Sequence, residues 1–162
     1  MAVPPSTAPA TARGSSAPRR PSRRPAGLAP ETPGANSVPR RVAILVYDGV
    51  TLLDVAGPAE VFREANRFGA DYRIVLLSPT GEDVKSNLGV GVAVDGAVSS
   101  EDAPDTYLVA GSDRYPRTRV PRALAEAARV PAAGARRVAS ICTGAFILAA
   151  AGLLAGKRAT TH

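Results

Sequence analysis

The chain has 162 residues, a formal net charge of +6, one cysteine and one histidine. That length suffices for one domain around one hydrophobic core, and no apolar run reaches the roughly eighteen residues needed to span a bilayer. A single cysteine cannot close an internal disulfide, which fits a reducing cytoplasm; one histidine and one cysteine do not make a metal ligand set, and no cofactor is expected.

Residues 1–40 are built from Pro, Ala, Ser, Thr, Gly and Arg and hold nine of the fifteen prolines. They carry Arg13, Arg19, Arg20, Arg23, Arg24 and Arg40 against one acid, Glu31, with no aromatic residue and no apolar periodicity. Such a segment buries too little surface to offset its ordering entropy and reads as a disordered tail. No apolar stretch follows the arginines, so it is not a signal peptide. The tail accounts for five of the six net charges. Residues 41–162 are therefore near neutral, and the basic balance is no nucleic-acid footprint for the folded part. The paired arginines would add only non-specific attraction to phosphate.

Arg41–Tyr47 is a continuous apolar run, the mark of a strand buried on both faces. Asp48-Gly49 turns the chain, and Thr51–Phe68 reads as helical, with Val55, Ala59 and Phe62 on an inner face and Glu60, Arg63, Glu64 and Arg67 outside. Pro58 predicts a loose turn first and a regular helix only from Pro58 onward. Tyr72–Ser78 is a second strand, and the Gly-rich, alternating Ser86–Asp95 suggests a short strand or hairpin. Asp105–Ala110 is a further strand ended by Gly111-Ser112-Asp113, and Pro121–Val130 an amphipathic helix. Ala135–Ile141 is the last strand, followed by a helix to about Leu154 with Gly156 as its C-cap. Strands alternating with helices imply an α/β fold, a parallel sheet sandwiched by helices, with functional groups at the carboxyl ends of the strands. Three polar segments fall at such ends: Asp48–Asp54, Gly111-Ser112 and Cys142-Thr143. The chain stops at Ala159-Thr160-Thr161-His162 without a closing element, so the domain is expected to be incomplete at its C-terminus.

Ser140-Ile141-Cys142-Thr143-Gly144 carries most of the functional information. A nucleophile between small residues, at a strand-to-helix turn, is the sequence form of a nucleophile elbow. Bulky residues two before or two after would clash, and Ser140 and Gly144 stand there. The amides and dipole of the following helix favour thiolate. The competing reading is a small buried hydrophobe, and strand, small residue, cysteine, glycine and helix together favour the elbow. Asp54 is open to two readings, a site carboxylate or a helix N-cap, and Glu60 reads as an exposed helical residue.

Residues 41–162 resemble the PfpI-type branch of the class I glutamine amidotransferase-like superfamily. The resemblance rests on Tyr47–Phe62 (YDGVTLLDVAGPAEVF), on Ser140–Gly144 and on Ala151–His162 (AGLLAGKRATTH). It is strongest to the N-terminal domain of AraC-type transcriptional regulators and to the isocyanide hydratase group. It implies a flavodoxin-like sandwich, a homodimer when complete, Cys142 as nucleophile, Asp54 as the carboxylate beside the sulfur, Thr143 as an active-site residue and His162 as the histidine beyond the elbow helix. Oxyanion or ligand contacts would come from Gly111, Ser112, Thr143 and Gly144. Many enzymatic relatives carry Pro-Gly-Gly where this chain has Ala110-Gly111-Ser112.

Three functions stay open on sequence. The first is a small-molecule-sensing domain of an AraC-type regulator without its DNA-binding half, and so without sequence-specific nucleic-acid binding or membrane attachment. The second is a cysteine-dependent hydratase or hydrolase in which Cys142 attacks and Asp54 supplies the proton. The third is a redox sensor whose cysteine oxidises reversibly.

Overall fold

The computed structural model describes residues 38–101 and 103–161. Of the tail read from residues 1–40, residues 1–37 lie outside the described residues, as do Asp102 and His162. The elements in chain order are β1 (Arg40–Leu45), α1 (Leu52–Asn66), β2 (Tyr72–Ser78), β3 (Val84–Lys85), β4 (Gly91–Val92), β5 (Gly96–Ala97), β6 (Thr106–Val109), α2 (Arg122–Ala132), β7 (Arg137–Ser140) and α3 (Gly144–Ala150). The main sheet is parallel throughout, in the order β5-β2-β1-β6-β7. β3 and β4 form a separate antiparallel pair.

β1 lies in the middle because its sequence tolerates no water on either face. Val42, Ala43, Ile44, Leu45 and Val46 have no exposed surface, and each buried branched side chain contributes about 1.5–3 kcal/mol. Successive side chains point to opposite faces, which sorts the core into two halves. Ala43, Leu45 and Tyr47 join Leu124, Ala127 and Ala128 of α2 and Ile147 and Leu148 of α3. Val42, Ile44 and Val46 join Val55 of α1 and Val84 and Val92 of the hairpin, with Ala59 and Phe62 packed against them. The result is three layers, with α1 and the hairpin on one face and α2 and α3 on the other.

The inner face expected for α1 is the one that packs. Its outer face carries the ion pairs Arg63–Glu60 and Arg67–Glu64, exposed and of small energetic weight. The expected loose turn before Pro58 is not there: α1 is helical from Leu52 and takes Pro58 inside it. The residue preceding Pro58 is Gly57, which has no Cβ to clash with the proline ring, so the usual penalty on a helical residue before proline is relieved. α2 runs two residues beyond the expected Val130, and Pro121 is its N-cap.

α3 is shorter than expected, and its cap is a different glycine. Gly152 adopts φ +76°. Its amide donates to Ala149 O at 3.0 Å, and the Leu153 amide donates to Leu148 O at 3.0 Å. This pair of bonds is a Schellman motif, which ends the helix at Ala150. The sequence has glycines at 152 and 156 in similar settings, and the first to reach a left-handed conformation terminates the helix. A Gly152 Cβ would meet no heavy atom within 4 Å, so substitution there costs only backbone strain. Gly152→Ala is expected to lower stability by about 1–2 kcal/mol, measured by denaturant unfolding, with the Cys142 environment unchanged.

Candidate functional site

The carboxyl ends of β1, β6 and β7 meet at one edge of the sandwich. β7 ends at Ser140; Ile141 still donates its amide to Val109 O at 3.0 Å, and Cys142 then turns the chain at φ +49°. It is the one non-glycine residue with positive φ among the described residues. Left-handed backbone costs an ordinary side chain about 1–2 kcal/mol, so packing must hold the turn in place. Gly144 provides that packing: a Cβ there would sit 2.2 Å from Val109 O and 3.1 Å from Ala110 O. The elbow rests directly on the main chain at the end of β6, which is why the residue two after the cysteine is glycine.

Asp54 lies in the first turn of α1 and is 7% exposed. Its Oδ2 accepts the Gly111 amide at 3.1 Å, while the N-cap of α1 is Thr51. The cap reading of Asp54 therefore falls, and its carboxylate reaches into the loop after β6. The Gly111 carbonyl in turn accepts the Thr51 amide at 2.9 Å. Thr143, the N-cap of α3, accepts the Ser112 amide on Oγ1 at 2.8 Å and donates that hydroxyl to Ser112 O at 2.7 Å. Asp54 Oδ2, Thr143 Oγ1 and Thr143 N all lie within 2.8 Å of the point a Gly111 Cβ would occupy. Gly111 is thus required for space.

Bonds within the site occupy three of the four amides expected to face a ligand. The Gly111 amide is donated to Asp54, the Ser112 amide to Thr143, and the Gly144 amide to Ile141 O at 2.9 Å. Ser112 stands where many enzymatic relatives have glycine. Its buried Oγ meets no partner at good geometry, and it lies close enough to the Tyr47 hydroxyl to ease that group's ionisation.

Tyr47 reads in the sequence as the last residue of a buried strand and the first of the Tyr47–Phe62 segment, with no role of its own. Its hydroxyl donates to Ala110 O at 3.0 Å, and burial first, then the nearby Tyr115, Asp54 and Cys142, push its pKa well above the ordinary phenol value. It is a permanent neutral donor that pins the β6 loop. Its ring leans on Tyr115 with centroids 6.1 Å apart. Half-buried Cys142 lines a cavity of about 280 Å³ with Thr143, Asp113, Tyr115, Pro116 and Arg117. The last four come from an irregular loop with no periodicity to mark it. A larger cavity of about 660 Å³, lined by Arg119, Val120, Pro121, Arg122, Ala125 and Ala150, does not include the elbow. Thr161, from the expected Ala-Thr-Thr-His segment, donates its hydroxyl to Cys142 O at 2.8 Å, and His162 lies outside the described residues. Among the described residues no cluster of acids, histidine and cysteine fit for a metal ion occurs, and no helix is long and apolar enough to cross a membrane.

A flavodoxin-like sandwich with a left-handed cysteine at the end of a parallel strand defines a class of protein, and the comparisons name it. The DJ-1/PfpI family matches residues 40–162, and the chain belongs to that family. It is 54% identical over 124 residues to a protein in the cpoL 5′ region of Streptomyces lividans, covering 76% of this chain and 88% of that one. It is 32% identical to the HTH-type transcriptional regulator GbdR of Pseudomonas aeruginosa, covering 83% of this chain and 37% of the regulator. Isonitrile hydratase of Pseudomonas putida is 33% identical, with 75% of this chain and 52% of the hydratase covered. Among solved structures, a ThiJ/PfpI family protein from Pseudomonas syringae superposes with TM-score 0.67 at 25% identity, over 77% of this chain and 51% of that one. The chain therefore spans most of the Streptomyces relative and about a third to a half of the other two curated relatives.

Gly144→Ala would drive a methyl group into the Val109 carbonyl. It is expected to cost about 1–3 kcal/mol or more, read as a lowered midpoint of denaturant unfolding, and to raise the alkylation rate of Cys142 as the elbow lifts.

Proposed function

We propose that this chain is a small-molecule-sensing domain of the kind found at the head of AraC-type regulators, with the ligand received beside Cys142. The observation that carries this reading is the engagement of the loop amides. Acyl-transfer or hydration chemistry needs donors aimed at a developing negative charge. Here the amides of Gly111 and Ser112 are instead donated to Asp54 and Thr143. They tie α1, the β6 loop and the start of α3 into one network bordering the elbow. A ligand that displaces any member shifts the others, which suits a sensor. The similarity to GbdR, which spans most of this chain and about a third of the regulator, supports the same reading. A cytoplasmic location fits it.

The second reading, hydration of an isonitrile, is favoured by the 33% identity to isonitrile hydratase and by the left-handed Cys142. In it the thiol adds to the isonitrile carbon, Asp54 supplies the proton, and water then releases the formamide and restores the thiol. The two are separated by incubating the protein with an alkyl isonitrile and following formamide by mass spectrometry. The sensing reading expects no formation above the Cys142→Ala background. Turnover that disappears in that variant would replace it with the hydratase reading.

We further propose that the domain pairs with a second copy through α1 and the adjoining hairpin. Leu53 and Val61 are 75% and 67% exposed, two turns apart on one face with Gly57 between them, and Leu88 is 72% exposed. Light scattering should report a dimer for the full chain and a monomer for Val61→Glu, with the far-UV circular dichroism unchanged because the residue lies on the protomer's surface.

A further inference from the structure

We propose that the elbow cavity selects a small anionic molecule, of the carboxylate class, and that Arg117 sets this preference. The inference rests on the elbow being a small-molecule site and goes beyond it by assigning the charge of what enters.

The cavity is small, about 280 Å³, and places Arg117 in the same wall set as Cys142. Arg117 makes no ion pair or hydrogen bond among the described residues. Arg63, Arg67, Arg129, Arg136 and Arg137, by contrast, are each held by a carboxylate. A guanidinium presents a fixed fork of donors matched to a carboxylate. The acid in the same wall, Asp113, already accepts Asn87 Nδ2 at 3.2 Å. Of the wall residues Arg117 and Asp113 carry charge, and Arg114 adds a second guanidinium to the same loop, so the loop around the cavity has a positive excess that concentrates anions. Asp54, the other nearby acid, is buried and held by the Gly111 amide. Tyr115, buried and leaning on Tyr47, gives the cavity an aromatic wall. A compact molecule with one carboxylate and a short apolar body fits these walls.

Because Cys142 is the only cysteine, its alkylation reports the charge preference without a known ligand. Iodoacetate and iodoacetamide both react by sulfur attack on the methylene carbon, forming the S–C bond and expelling iodide while the thiol proton passes to buffer. They differ chiefly in the carboxylate. The full chain is treated with each reagent, and rates are followed by intact mass. The iodoacetate-to-iodoacetamide ratio is then normalised to that of a free cysteine peptide. The expected ratio exceeds the peptide's by about ten-fold at low salt and falls as salt is raised. Arg117→Ala should bring it to the peptide value with the iodoacetamide rate changed less than about two-fold, and Arg117→Lys should restore part of it. Arg119→Ala, in the same loop but lining the other cavity, should leave the ratio in place. A ratio unmoved by Arg117→Ala, or lowered equally by Arg119→Ala, overturns the anion preference while leaving the elbow an accessible site. Failure of either reagent to reach Cys142 in the folded wild type overturns the small-molecule site itself.

Discussion

The architecture of the site depends on two backbone approaches that leave no room for a side chain. At Gly144 the first turn of α3 lies against the carbonyls of Val109 and Ala110, and at Gly111 the loop after β6 threads between Asp54 and Thr143. Neither glycine is called for by a left-handed φ; each is required by contact. Together they bring the ends of three strands close enough for short polar side chains to bridge them. Bonds of 2.7–3.1 Å then connect Asp54, Gly111, Ser112 and Thr143. Moving either backbone outward by the width of a methyl group would lengthen these bonds, because their side chains are too short to follow.

The strain at Cys142 is intelligible in that setting. A cysteine at φ +49° carries a conformational cost that persists only where the surroundings over-determine the backbone. The Ile141 amide anchors one side of the turn to β6, the Gly144 amide closes it onto Ile141 O, and Thr143 locks the other side to Ser112. The buried hydroxyl of Tyr47 holds the Ala110 carbonyl from beneath. The turn is thus braced by the sheet's own main chain, and the sulfur-bearing residue is left half-buried at the rim of a cavity.

Much of this was legible in the residue order, and what was not has physical causes. β1 and β2 declare themselves because a strand covered on both faces must be apolar at every position. The elbow declares itself through Gly144, since close packing leaves a compositional trace. Pro58 misled because its effect depends on the glycine before it. The end of α3 misled because two glycines could each cap it. β5, two residues long, has no room for periodicity. Tyr47 reads as core because it is core; only the fold shows its hydroxyl meeting a carbonyl 63 positions away. The residues of the 113–117 loop gain meaning solely from the cavity they border. The amide that Asp54 accepts belongs to a residue 57 positions distant and could not be read from its local sequence.

The contact between Thr161 and the main chain of Cys142 has a mechanical consequence. A hydroxyl from the last described residue grips the carbonyl of the strained turn, so the segment following α3 is tethered to the elbow by one neutral hydrogen bond, worth about 0.5–1.5 kcal/mol. The peptide plane at 142 and the position of that trailing segment are therefore linked. A shift of the peptide plane at 142 loosens the tether, and tension on the trailing segment twists the same plane. Release of the segment from the elbow would cost no more than that single neutral bond.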